Sequence, residues 1–337
     1  MITDALLPLT ISNVRHVHST PLGVVMPCAR MFASTVEMLS SQEIPRITNL
    51  NDLSTGEVCK NLILAGIGEL TLLDVTLVDA GDIYGNYLFS AEDIDLNKGK
   101  AAYCKLSRLN PRVQVQYKEL SVDWLTVKEN LRGFDLVVVT SCSLEKAIKV
   151  DSLCRELHIG FFFGRVSGYY GFAFLDLGLH KYTRIQQDPK EFKPEFLTVA
   201  YAALQEALST TLVSASPLTQ HKRFRLFICF RAIFNFEEIN KRLPLPQDEI
   251  DQKTLIDIKN FILKNNGFHP SVVPDTLLLG IMDNFLLELG PVVSIVGGVL
   301  AQEIIKSLTQ QGCPLNNTFF YDGVENEGTV EQFGAII

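Results

Sequence analysis

The stretch "GEVCKNLILAGIGELTLLD", residues 56–74, decides how this chain folds. Its first part reads as a helix capped by Ser54 or Thr55 and stopped by Gly66, since hydroxyls start helices and glycine ends them. The short apolar run that follows, closing on Asp74, reads as a buried strand.

The alternation continues downstream. "NKGKAAYCKLSRLN" predicts a helix ended by Asn110 and Pro111, and "VQVQYKEL" alternates as a strand does. "FDLVVVTSC" is a continuous apolar run opening onto small polar residues, the signature of a central parallel strand. "SLEKAIKVDSLCRELH" places Ala147, Val150, Leu153, Cys154 and Leu157 on one helical face, and "IGFFFGRVSGYYGFAFLDLG" supplies further strands. Strand and helix alternating through residue 175 predict an α/β fold, a doubly wound, mostly parallel, Rossmann-like sheet with right-handed crossovers.

Residues 179–270 change character. Stretches such as "QQDPKEFKPEF" and "RLPLPQDEIDQK" are charged and carry proline, and a helix is expected over 251–265, so this region reads as a helical, variable insertion. Residues 271–337 return to the core with a helix from Val292 to Leu308, facing inward with Val292, Ile295, Val296, Val299 and Leu300, and an edge strand "NTFFYDG". Gly297 and Gly298 permit close approach of a neighbour. The α/β core then spans 55–178. Residues 1–54 form an atypical segment, mostly irregular, with a helix around "ARMFASTVEMLSS".

Composition sets the outer bounds. With 47% hydrophobic residues the chain has material for a large core, which excludes global disorder. A net charge of −8 without a dense basic run argues against nucleic acid, and "HKRFR", residues 221–225, reads as a solvated turn or strand edge. Seven cysteines without a CxxC pair, and no secretory signal, point to a reducing compartment, nucleus or cytoplasm. "PVVSIVGGVLAQEII" meets Glu303 too early to cross a bilayer, so no membrane is expected.

A phosphate site on such a sheet needs glycines between the first strand and first helix, because only a backbone without Cβ lets N–H groups approach phosphate oxygens. This chain has Leu50, Asp52, Leu53, Ser54 and Thr55 there, with Gly56 as the one glycine, and Asp52 repels phosphate. Asp74 ends a strand where such folds place an acid on ribose, yet aspartate is also a turn former, and both readings stand. Cys142, in "TSCS" at the end of the central strand, is a nucleophile only with a depressed pKa, and no histidine is near in sequence. No catalytic residue and no metal site is assigned. A free-standing dinucleotide-dependent oxidoreductase is the reading of another class, supported by the alternation and Asp74 and opposed by the missing glycine loop.

Residues 56–74 together with "RLNPRVQV", "KVDSLC", "VSGYYGFAFLDLG", "SIVGGVLAQEIIKSL" and "NTFFYDG" resemble the small subunits of SUMO-activating enzymes, in the ThiF, or ubiquitin-activating, adenylation-fold family. The resemblance covers residues 55–337. It implies a heterodimer in which a large subunit carries ATP, Mg²⁺ and the catalytic cysteine, adenylates SUMO and captures it as a thioester. This chain then binds no cofactor alone, and Asp74 is a vestige of a nucleotide site. A small subunit for another ubiquitin-like modifier is the alternative within the family.

Two departures from the family pattern stand out. Active halves resemble this chain at Cys142 but hold an aspartate there that serves Mg²⁺, followed by an asparagine where Ser143 stands. Small subunits also begin with a helix of the type "YDRQIRLWG", whose arginine reaches the partner's ATP site, followed by a first strand and a glycine loop. Arg15, Arg30 and Arg46 do not sit in that motif, and none is assigned the role. The abrupt start of the resemblance implies either a divergent subunit or an alternative or mis-joined gene segment over residues 1–54. On the second reading the sheet lacks its central first strand.

Overall fold

The computed structural model describes residues 46–49, 53–85, 87–140, 142–187, 192–211, 224–285 and 287–334. The helix expected around 29–41 lies outside them, as do Leu50 and Asp52 of the expected loop, Arg15, Arg30 and residues 221–223.

The chain enters the sheet with β1 (Arg46–Asn49), a strand the sequence reading does not foresee. It pairs in parallel with both β2 (Glu69–Leu73) and β4 (Leu136–Val139), so the central first strand is present and the expectation that it is missing is corrected. "RITN" escapes detection because a central parallel strand normally shows an unbroken apolar run, and this one carries arginine, threonine and asparagine. Between β1 and β2 lies α1 (Leu53–Leu64). Ser54 and Thr55 therefore sit inside its first turn rather than capping it, whereas Gly66 closes it as expected, with φ 79° and its N–H on the Ile63 carbonyl.

After the short α2 (Asp82–Gly85), Asn97 caps α3 (Lys98–Leu109) through its side chain and the N–H of Lys100. Then come β3 (Gln114–Lys118), α4 (Lys128–Leu131), β4, α5 (Leu144–Leu157), β5 (Gly160–Ser167) and β6 (Tyr170–Asp176), which folds back antiparallel on β5. Next, β7 (Leu179–Gln187) and β8 (Phe192–Ala200) form a separate two-stranded antiparallel ribbon, so the expected helical insertion begins as β-structure. Its charges and proline read as a helix flank, but in a ribbon exposed on one face they are tolerated. Helices α6 (Leu204–Ser209), α7 (Arg225–Asn240), α8 (Glu249–Asn265), α9 (Asp275–Asp283) and α10 (Gly290–Thr309) follow.

The chain ends with β9 (Thr318–Asp322) and β10 (Glu327–Glu331), and the eight-stranded sheet has the order β10-β9-β6-β5-β4-β1-β2-β3. β9 is not the edge strand expected: β10, polar and mostly exposed, takes that place. Five parallel neighbours, β3 to β5, carry the doubly wound part. Strand residues alternate between the two faces, as pleating requires. Val137, Val139, Phe161 and Phe163 join the core under α5, α7, α8 and α9, while Leu136, Val138 and Phe162 join that under α1, α3 and α10.

By length and composition, α10 is apolar enough to cross a membrane. Here it lies on the sheet, with Val292, Val293, Val296, Leu300, Ala301 and Ile304 buried. Ile295, expected inward, is 38% exposed, and Val293 takes the inward position in its place.

Candidate functional site

In an open parallel sheet the crevice for a ligand lies outside the carboxyl ends of the strands, where the order reverses. That point falls here between β1 and β4. Its walls are the first turn of α1, the end of β4 at Thr140 and Cys142, and the end of β2 at Asp74.

The α1 wall rests directly on the β4 wall: the buried hydroxyls of Thr55 and Thr140 are 2.5 Å apart. The Tyr87 hydroxyl donates to the Gly56 carbonyl at 3.2 Å, which lays its ring beside the start of α1. Lys60 stands 4.9 Å from the centre of that ring and 2.5 Å from Glu57. Lys98, the cation acting on Asp74, is ion-paired with Asp82 at 2.8 Å. Lys60 and Lys98 thus have carboxylates of their own.

Asp74 is 1% exposed. Its Oδ1 accepts from both the N–H and the hydroxyl of Thr76 at 2.6 Å, and its carbonyl accepts from the Asn97 side chain at 3.0 Å. These are the contacts of a turn former that fastens the end of β2 to the cap of α3. Burial raises the Asp74 carboxyl above its ordinary value, outweighing the Thr76 donors and Lys98 that pull it down.

Cys142 is buried, and its thiol donates to the Ser143 carbonyl at 3.3 Å. Its own carbonyl is held by a residue the sequence reading passes over, Arg165 of β5, whose Nη2 donates at 2.6 Å. Arg165 is 9% exposed, lies 3.5 Å from the Glu237 carboxylate of α7, and packs its guanidinium against Phe163, Phe234 and Phe285. The signal was an arginine inside an otherwise apolar strand, "FFFGRVS". Beside it opens a cleft of 230 Å³ lined by Ser143, Leu144, Glu145, Glu237, Glu238 and Lys241. Its one lysine, Lys241, is paired with Glu145 at 2.8 Å and Glu237 is paired with Arg165, so the cleft offers a polyphosphate no net positive charge.

Among the described residues the crevice is poor in ligands for Mg²⁺. The end of β4 offers a thiol where a carboxylate would hold the ion, and Oδ1 of Asp74 is committed to Thr76. Among the described residues no three histidine, cysteine, aspartate or glutamate side chains stand close enough together to bind a metal.

Comparison with known proteins gives this geometry its context. The sequence model of the ThiF family matches residues 56–335. SUMO-activating enzyme subunit 1 of Xenopus tropicalis is 31% identical over 304 residues, covering 83% of this chain and 86% of that protein. The Homo sapiens protein of the same name is 30% identical over 300 residues, covering 82% and 85%. That of Danio rerio is 30% identical over 303 residues, covering 83% and 85%. The sheet order, the crevice at the β1–β4 reversal and these matches along nearly the whole described chain agree: this chain belongs to the ThiF family, with its adenylation fold.

Proposed function

We propose that this chain is the small, non-catalytic subunit of a heterodimeric SUMO-activating enzyme. It supports ATP-dependent adenylation of SUMO and its capture as a thioester by the large subunit. The observation that carries this reading is the likeness to SUMO-activating enzyme subunit 1 from several vertebrates, which runs across more than four fifths of both chains. The crevice supports it from the physical side. A sheet built to hold a nucleotide, yet walled by Cys142, a bonded threonine pair and ion-paired lysines, suits a subunit that works through a partner. ATP and Mg²⁺ then belong to the large subunit, and the pair acts in the nucleus and cytoplasm.

The test is reconstitution. The purified chain and the large subunit of a SUMO-activating enzyme should co-elute, and together should form the SUMO thioester when ATP is added. Failure to associate at low salt overturns the proposal. Thioester formation with another ubiquitin-like modifier in place of SUMO favours the alternative specificity. Association that lowers adenylation by the partner marks the chain as a competitor.

A further inference from the structure

Two buried acids meet where the β7–β8 ribbon leaves the sheet. Asp151 of α5 and Asp176 at the end of β6 are each 1% exposed. Three of their four carboxylate oxygens have donors. Asp151 Oδ2 accepts from the Leu204 N–H at 2.8 Å, Asp176 Oδ1 from the Gly178 N–H at 2.8 Å, and Asp176 Oδ2 from Arg155 Nη1 at 2.6 Å. The fourth oxygen, Asp151 Oδ1, is shut away from solvent and has no donor. Each carboxyl nevertheless perturbs the ionisation of the other, as close neighbours do.

Charge counting gives the same picture. If both acids were ionised, two buried negative charges would face one guanidinium, and a carboxylate oxygen would be left dry and unbonded, both costly. One proton between them removes the excess charge and supplies the missing donor. We propose that Asp151 is a protonated acid in the folded protein, donating from Oδ1 to Asp176, and that this bond latches the base of the ribbon to α5.

The surroundings are consistent with this assignment. Burial and then the Asp176 charge push Asp151 well above the usual carboxylate range. Burial also raises Asp176, while Arg155 and the Gly178 N–H favour its charged form, which makes it the acceptor. From α5, Cys154 also faces the pair, its thiol pushed up by burial and then by both acids. From α6, Glu206 acts on Arg155. Tyr201 closes the base: its N–H bonds the Gly178 carbonyl at 2.8 Å, its carbonyl takes Arg155 at 3.0 Å, and its hydroxyl turns away to Pro314.

The latch makes stability depend on pH with a defined sign. An unfolded chain releases the Asp151 proton near the ordinary value of 3.8, whereas the folded chain keeps it to higher pH. The contribution is complete below that value and is lost as pH rises through the folded pKa. Asp151→Asn tests this, because its amide donates to position 176 at every pH and its carbonyl still accepts from Leu204.

Thermal melting of the full chain from about pH 4 to about pH 9 should show the wild type losing about 2 °C per pH unit relative to Asp151→Asn until the folded pKa is passed. Infrared spectra at neutral pH should show the carbonyl stretch of a buried protonated acid in the wild type and its loss in the variant. Hydrogen exchange at the Leu204 and Gly178 amides should quicken in alkaline wild type but not in Asp151→Asn. Asp176→Asn, which removes the second negative charge so that Asp151 can ionise beside Arg155, is the second variant should the first not fold, and it should lose the same infrared band. Parallel melting curves, or a wild-type spectrum unchanged by either substitution, overturn the proposal.

Discussion

Arg165 places a charge among phenylalanines, so it is held by what it bonds rather than by what surrounds it. Replacing it with methionine leaves the buried Glu237 without its cation and takes a donor from the Cys142 carbonyl. Urea unfolding should show a loss of about 3–5 kcal/mol, part of which returns in Arg165→Met/Glu237→Gln, where no charge is stranded. Asp74 separates two roles that the sequence leaves open. Asp74→Ala removes the acceptor of both Thr76 donors and should cost about 1–3 kcal/mol in stability. If the residue only forms the turn, thioester formation by the chain combined with the large subunit of the proposed enzyme, measured per folded chain, stays at the wild-type level, and a vestigial contact to nucleotide would lower it. Cys142 and Asp74 are visible in the sequence because each ends a run of apolar residues. Arg165 is visible only as an anomaly, and the Thr55–Thr140 contact is invisible, since its partners are 85 positions apart and meet only when the sheet forms.

At the scale of elements, legibility follows the strength of the periodic signal. Helices α3, α5 and α8, and strands β2 to β6, stand near the positions their patterns predict. Among the elements missed, β1, the β7–β8 ribbon and β10 are polar because each is short, two-stranded or at an edge, whereas the apolar helices α7 and α9 are not singled out. The contact of β6 with α10 shows a constraint no pattern reveals. A Cβ on Gly171 would come within 2.3 Å of the Val296 side chain. Gly171→Ala should therefore cost about 1–3 kcal/mol, and Val296→Ala placed beside it should recover part of that by clearing the space. Next to it, Phe172 lies within 6 Å, ring centre to ring centre, of Phe163, Phe230, Phe234 and Phe320. Phe172→Ala should lower stability by about 3–5 kcal/mol, read from the denaturation midpoint.

For the molecule as a whole, the fold class was legible because alternation between helix and strand survives in any chain that must bury a sheet on both faces. What the chain does was legible through resemblance alone, since its crevice is marked by residues it lacks rather than residues it has. The antiparallel half of the sheet adds a consequence in time. β6 is completed at Asp176, but its outer neighbour β9 begins only at Thr318. While the ribosome makes the residues between them, β6 has an open edge of unpaired amides and carbonyls, the kind of edge that recruits other chains. Nascent chains stalled before Thr318 should therefore partition into aggregates or chaperone complexes. Those released after Glu331 should be soluble, because β9 then covers β6, the strand that waits longest for its neighbour, and β10 covers β9 in turn.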